Sequence, residues 1–122
     1  MCIRDSYEID EALKRIVAFD AAGADCLYVP IPKTQDDLKR VIAATNKPVN
    51  VLVAGPYAKL SFQDYAGMGA ARLSLGSALA NAVQRTIFDA GTAMFDGGDF
   101  SPLLNGISGR KIEALLNGTF EK

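Results

Sequence analysis

Three short apolar runs carry the residues best suited to hold a small ligand: CLYV at Cys26–Val29, VNVLV at Val49–Val53 and RLSL at Arg72–Leu75. If each run is a strand, successive side chains point to opposite faces. Leu27, Val29, Val49, Val51, Val53, Leu73 and Leu75 then share a face that packs on helices. Cys26, Tyr28, Pro30, Asn50, Leu52, Arg72, Ser74 and Gly76 fall on the other. A phenol, an amide, a guanidinium and a hydroxyl on one surface can hydrogen-bond and charge-pair an anion. Gly55 and Gly76 stand at the C-terminal ends of the second and third runs, where parallel sheets place their ligands. Gly76-Ser77, at a helix start, offers backbone N–H groups to an anion.

Each of these residues also has a purely structural reading. Arg72 suits an ion pair that only stabilises the fold, and Tyr28 a core aromatic with its hydroxyl on a backbone carbonyl. Asn50 is the least comfortable as core, because a buried amide needs several partners. The chain has no histidine. That removes the commonest general base, the Ser-His and Cys-His nucleophile pairs and most zinc sites. Chemistry must therefore run on carboxylates, Lys, Arg, Tyr or a metal held by oxygen. Two cysteines, Cys2 and Cys26, make no disulfide framework, and Cys26 reads as a small hydrophobe packed in its strand.

The elements around these runs are legible by period. Ile9, Leu13, Ile16 and Val17 form one face of a helix that starts near Tyr7 and stops at Gly23. Thr34, with Asp37 three residues on, opens a second helix with Leu38, Val41 and Ile42 inward. Ser61 and Asp64 cap a short third helix with Phe62, Tyr65 and Met68, stopped by Gly69. A long helix runs from Ser77 to Met94 with Leu79, Val83, Ile87, Ala90 and Met94 on one face. DGGDFSPLLNGISG reads as a loop, and Ile112, Leu115 and Leu116 belong to a terminal helix stopped by Gly118. GADCLYVP at Gly23–Pro30 returns as GAARLSLG at Gly69–Gly76, each a helix stop running into a buried strand. Strands alternating with helices imply an α/β fold with a parallel sheet. A partly polar inner face favours a barrel over an open sheet.

With 122 residues, 49% of them hydrophobic and a net charge of -1, the chain has the composition of an ordinary soluble domain. No basic segment supports a nucleic-acid partner or an anionic membrane surface. No apolar run spans a membrane, and no signal-peptide pattern is seen, so a cytoplasmic location is expected. MCIRDS at residues 1–6 has neither period nor cap and reads as a non-native leader, which leaves residues 7–122 for the fold.

AFDAAGADCLYVP, KPVNVLVAG and GMGAARLSLGSAL together resemble the second half of the phosphoenolpyruvate mutase/isocitrate lyase family, from about Tyr7 to Met94. The resemblance implies about three of the eight βα units of a TIM-type barrel, followed by a helical extension. In that family the last helix is exchanged between subunits, which implies a homo-oligomer built through the helix from Ser77 to Met94. The implied parent is a Mg²⁺-dependent lyase or mutase that makes or breaks C–C or P–C bonds beside a carboxylate in small 2-oxo or 2-hydroxy acids. By family position Asn50 contacts that carboxylate substrate, with Arg72 and Ser74 lining the barrel beneath it and Gly55 and Gly76 at the strand ends. Pro30 stands where members of known specificity carry Glu or His, and it cannot carry a proton. Nothing here matches the family's acidic metal motif or its mobile catalytic loop. The catalytic residues and Mg²⁺ ligands are thus expected in an N-terminal half outside this chain, and the chain alone is expected to be inactive. The alternative is a non-catalytic half-barrel that binds an anion and assembles with a partner.

Overall fold

The two Gly-Ala stretches end their helices in the same way. Gly23 and Gly69 sit at φ +92° and +90°, a backbone state that costs an L side chain energy and glycine almost none. The following amides close the same wide turn: Ala24 N–H bonds the Phe19 carbonyl at 3.0 Å, and Ala70 N–H bonds that of Tyr65 at 3.1 Å. Each helix is thereby stopped and the chain turned into a strand.

The computed structural model describes residues 8–119. Residues 1–6, read as a leader from the sequence, lie outside that range. The chain forms two compact units, Met1–Leu79 and Ala80–Lys122.

The first unit is α/β. Its order is α1 (Ile9–Ala21), β1 (Leu27–Tyr28), α2 (Gln35–Ala43), β2 (Val49–Leu52), a 3-10 turn at Gly55–Lys59, α3 (Phe62–Gly67) and β3 (Arg72–Ser74). The strands form one parallel sheet in the order β1-β2-β3. Thr34 caps α2 by accepting the Asp37 N–H at 3.0 Å. Ser61 and Asp64 form a reciprocal capping box on α3, which satisfies donors that a helix start leaves free.

The apolar strand face is buried as alternation requires. Ile16, Leu27, Val41 and Val49 form one cluster, and Leu38, Val51, Tyr57 and Tyr65 a second, with Leu73 against it. Several expectations give way here. Leu75 lies beyond β3 and is exposed, as are Val17 and Phe62. Cys26 precedes β1 and is exposed instead of packed, because β1 is a two-residue edge strand that begins only at Leu27. β1 ends before Pro30, which has no N–H to extend a ladder.

The second unit contains most of α4 (Ala78–Gly97), a 3-10 turn at Ser101–Asn105 and α5 (Gly109–Leu116). The turn lies inside the segment expected to be loop throughout, and α4 runs to Gly97, beyond Met94. Ser108 caps α5 by accepting the Lys111 N–H. None of these helical elements has a buried residue.

Candidate functional site

The register places the polar side chains together. Tyr28 pairs with Asn50, Asn50 with Arg72, and Leu52 with Ser74. Paired residues in a parallel sheet point to one face, and so do residues two apart on a strand. Tyr28, Asn50 and Arg72 therefore form a row across three strands, with Leu52 and Ser74 in the next row toward the C-terminal end. The sheet divides as alternation predicts, with aliphatic side chains toward the helices and polar ones opposite.

Asn50 is the centre of this face. It lies on the middle strand, is 8% exposed, and is the buried polar residue of the core. Its Nδ2 donates to Ser74 Oγ at 2.9 Å, and Ser74 Oγ in turn lies 3.4 Å from the Val51 carbonyl. With the serine proton directed at that carbonyl, the serine oxygen accepts from Asn50 Nδ2. Asn50 Oδ1 is then left buried without a hydrogen-bond partner. A buried acceptor in that state costs about 1–3 kcal/mol. Purely structural amides are usually spared that cost by a second partner.

Arg72, beside Asn50 in register, is exposed and has no ion pair among the described residues. Tyr28 is 43% exposed, which argues against a plain core role. Gly55 and Gly76 lie beyond the strand ends at φ +56° and +53°. A Cβ on Gly76 would come within 3.1 Å of Leu52 Cδ1, so backbone and sheet approach closely there. The expected row of free amides at the start of α4 is reduced, because Ala78 N–H is already bonded to the Leu75 carbonyl at 3.0 Å. The structure thus brings Asn50, Ser74 and Arg72 together and sets Gly55 and Gly76 at the exits.

One residue at this end of the sheet gave no signal by period or motif. Tyr57, in the turn after β2, is buried, and its hydroxyl lies 2.8 Å from the carbonyls of both Pro32 and Thr34. Tyr65 of α3 donates its own hydroxyl to the Tyr57 carbonyl. Burial pushes the Tyr65 phenol above its ordinary pKa, so it stays a donor into alkaline conditions. Just before the Pro32 anchor Ile31 adopts φ +39°, the one non-glycine residue with positive φ among those described. For a β-branched residue that is a strained state costing of order 1–3 kcal/mol. A Pro-flanked loop just past a strand, followed by a Tyr past the next strand, was the available hint.

No three His, Cys, Asp or Glu side chains gather to hold a metal ion among the described residues. No helix of the described residues is long and apolar enough to cross a membrane.

The family model of phosphoenolpyruvate phosphomutase matches residues 1–95. An oxaloacetate decarboxylase of Rhodopseudomonas palustris strain HaA2 is 32% identical over 90 residues, 73% of this chain and 30% of that protein. The strain BisB5 oxaloacetate decarboxylase is 33% identical over the same share of each chain. A solved structure from Burkholderia cenocepacia J2315, described as a lyase/mutase, superposes with a TM-score of 0.86 at 32% identity, over 95% of this chain and 42% of that one. The chain spans about 30% of the length of the curated relatives it matches. With its parallel sheet and these similarities, the chain belongs to the phosphoenolpyruvate phosphomutase family.

Proposed function

We propose that this chain is the C-terminal part of a (β/α)₈ barrel enzyme, about three of its eight units. Its reaction is the decarboxylation of a small 2-oxo dicarboxylic acid. The relatives named above support the reaction class, and Pro30 cannot supply the proton transfer that the resemblance places at its position in members of known specificity. Loss of CO₂ sends the C–C bonding electrons into the 2-oxo group as an enolate, which a proton then quenches. No acid is needed at the end of β1 for the bond to break.

The observation that carries the reading is Asn50, buried, oriented by Ser74 and left with an unpartnered oxygen. Its second N–H suits an oxyanion, and its Oδ1 suits a proton-bearing group of the substrate or of the enol form. The Arg72 guanidinium, next in register, supplies positive charge for a carboxylate. Family members are generally metal-dependent, and Mg²⁺ is the ion we propose for the complete barrel. The residues described here do not gather the carboxylates that ion needs.

The test is carbon dioxide release from oxaloacetate by the complete barrel carrying this chain. Oxaloacetate also decarboxylates in buffer with Mg²⁺, so the reference is the same barrel with Asn50→Ala. The reading expects release well above that reference, and rates equal to buffer alone would overturn it.

A further inference from the structure

We infer that Tyr57 is a positioning residue for the substrate-facing loop at the end of β1. This inference rests on the reading of the polar sheet face as a substrate site. The loop 30–34 leaves β1 at the C-terminal end of the sheet, and the Gly55–Lys59 turn leaves β2 at the same end. Tyr57 joins the two. One phenolic proton is shared between the carbonyls of Pro32 and Thr34, each 2.8 Å from the hydroxyl oxygen. Tyr65 holds Tyr57 from behind through its carbonyl. Pro32 is fully buried, and the Ile31 side chain packs on the cluster of Leu38, Val51, Tyr57 and Tyr65. Ile31 packs inward with its backbone in the left-handed region, at φ +39°. The strained turn persists because apolar burial and the shared hydroxyl both hold it. Pro30, one residue earlier, leads from the end of β1 into this held turn. The clasp fixes where the wall of the site stands and so how well a substrate of given length fits.

Tyr57→Phe keeps the ring in the core and removes only the hydroxyl. Deuterium exchange at the amides of Asp37 and Leu38, which bond the Thr34 hydroxyl and carbonyl at 3.0 and 3.1 Å, is expected to rise roughly 5- to 10-fold, the size of one lost hydrogen bond, with α1 unchanged. In the complete barrel KM for oxaloacetate should rise by a similar factor with kcat within about twofold, because binding geometry is disturbed and bond breaking is not. Tyr65→Phe should shift the same amides in the same direction, which guards against a misfolded first variant. Exchange at these amides unchanged in Tyr57→Phe overturns the inference, and so does faster exchange with an unchanged KM. If the unsubstituted barrel does not turn over oxaloacetate, the decarboxylase reading fails. The clasp is then judged on exchange alone, where protection unaltered by Tyr57→Phe refutes it.

Discussion

The two units of the chain use their apolar residues in opposite ways. In Met1–Leu79, Leu38, Val41, Val49 and Val51 are at most 2% exposed, and three helices cover one face of the sheet. From Ala80 on, the described residues are at most half-buried, and Ile87, Phe88, Phe95, Leu104 and Leu116 stand largely in the open. Yet the second unit is as well punctuated as the first, with a Ser108 cap and glycine stops at Gly98 and Gly118. Local signals write helices wherever they occur. Burial needs a partner surface, and the first unit contains its own.

The comparison breaks most visibly at Leu38 and Ile87. Leu38→Ala should destabilise the chain by about 2–5 kcal/mol, read as a lower urea midpoint. Ile87→Ala, measured dilute enough to keep the chain monomeric, should stay within about 0.5 kcal/mol. Equal losses would mean that α4 is packed within its own chain.

The open face of α4 bears on assembly. We propose that Leu79, Val83, Ile87, Ala90 and Met94 form a seam between copies, so the chain should sediment as an oligomer. Ile87→Asp places a charge in that seam and should raise the dissociation constant about 100-fold or more. Sedimentation profiles that match for the two proteins would remove the seam.

A smaller effect sharpens the contrast between local code and packing. Ser61→Ala removes the cap of α3 and should cost about 1 kcal/mol, visible in thermal unfolding. Smaller still is its acid dependence. Backbone and side-chain hydrogen bonds from Ser61 hold the Asp64 carboxyl below its ordinary range. A depressed carboxyl stabilises the fold above its unfolded pKa, and that contribution fades as pH falls through the lower folded value. As pH falls below the ordinary carboxylate range, stability should therefore drop slightly in the natural chain and only a little less in Ser61→Ala, which keeps the residue-61 backbone N–H on Asp64 and loses the hydroxyl. Identical acid limbs would show that the Ser61 hydroxyl adds nothing to the backbone bond.

Much of the first unit was legible because its signals are local or strictly periodic. Gly23, Gly69, Thr34 and the Ser61–Asp64 box each act within a turn of chain, and alternation alone separated Asn50 and Arg72 from Val49, Val51 and Leu73. Cys26 and Leu75 misled because strand length was read from the apolar run. The ladder is set by pairing, and β1 pairs over only two residues. Phe62 misled because α3 is too short to bury more than Tyr65. The Tyr57 clasp was hidden for a different reason: its partners are backbone carbonyls far away in sequence, and a carbonyl leaves no mark in the residue type. The orientation of Asn50 was equally invisible, since it depends on where the Ser74 proton goes.

The central claim is that Asn50 is placed for substrate and not only for the core. In the complete barrel, kcat/KM and melting temperature should be measured together for Asn50→Ala. Loss of a hydrogen bond to a charged group, about 1.5–3 kcal/mol, predicts a fall of roughly 10- to 150-fold in kcat/KM. Melting temperature should move little, because the lost Nδ2 bond to Ser74 is offset by removal of a buried, unpartnered oxygen. A clearly lower melting temperature with kcat/KM unchanged would contradict the account and return Asn50 to the core.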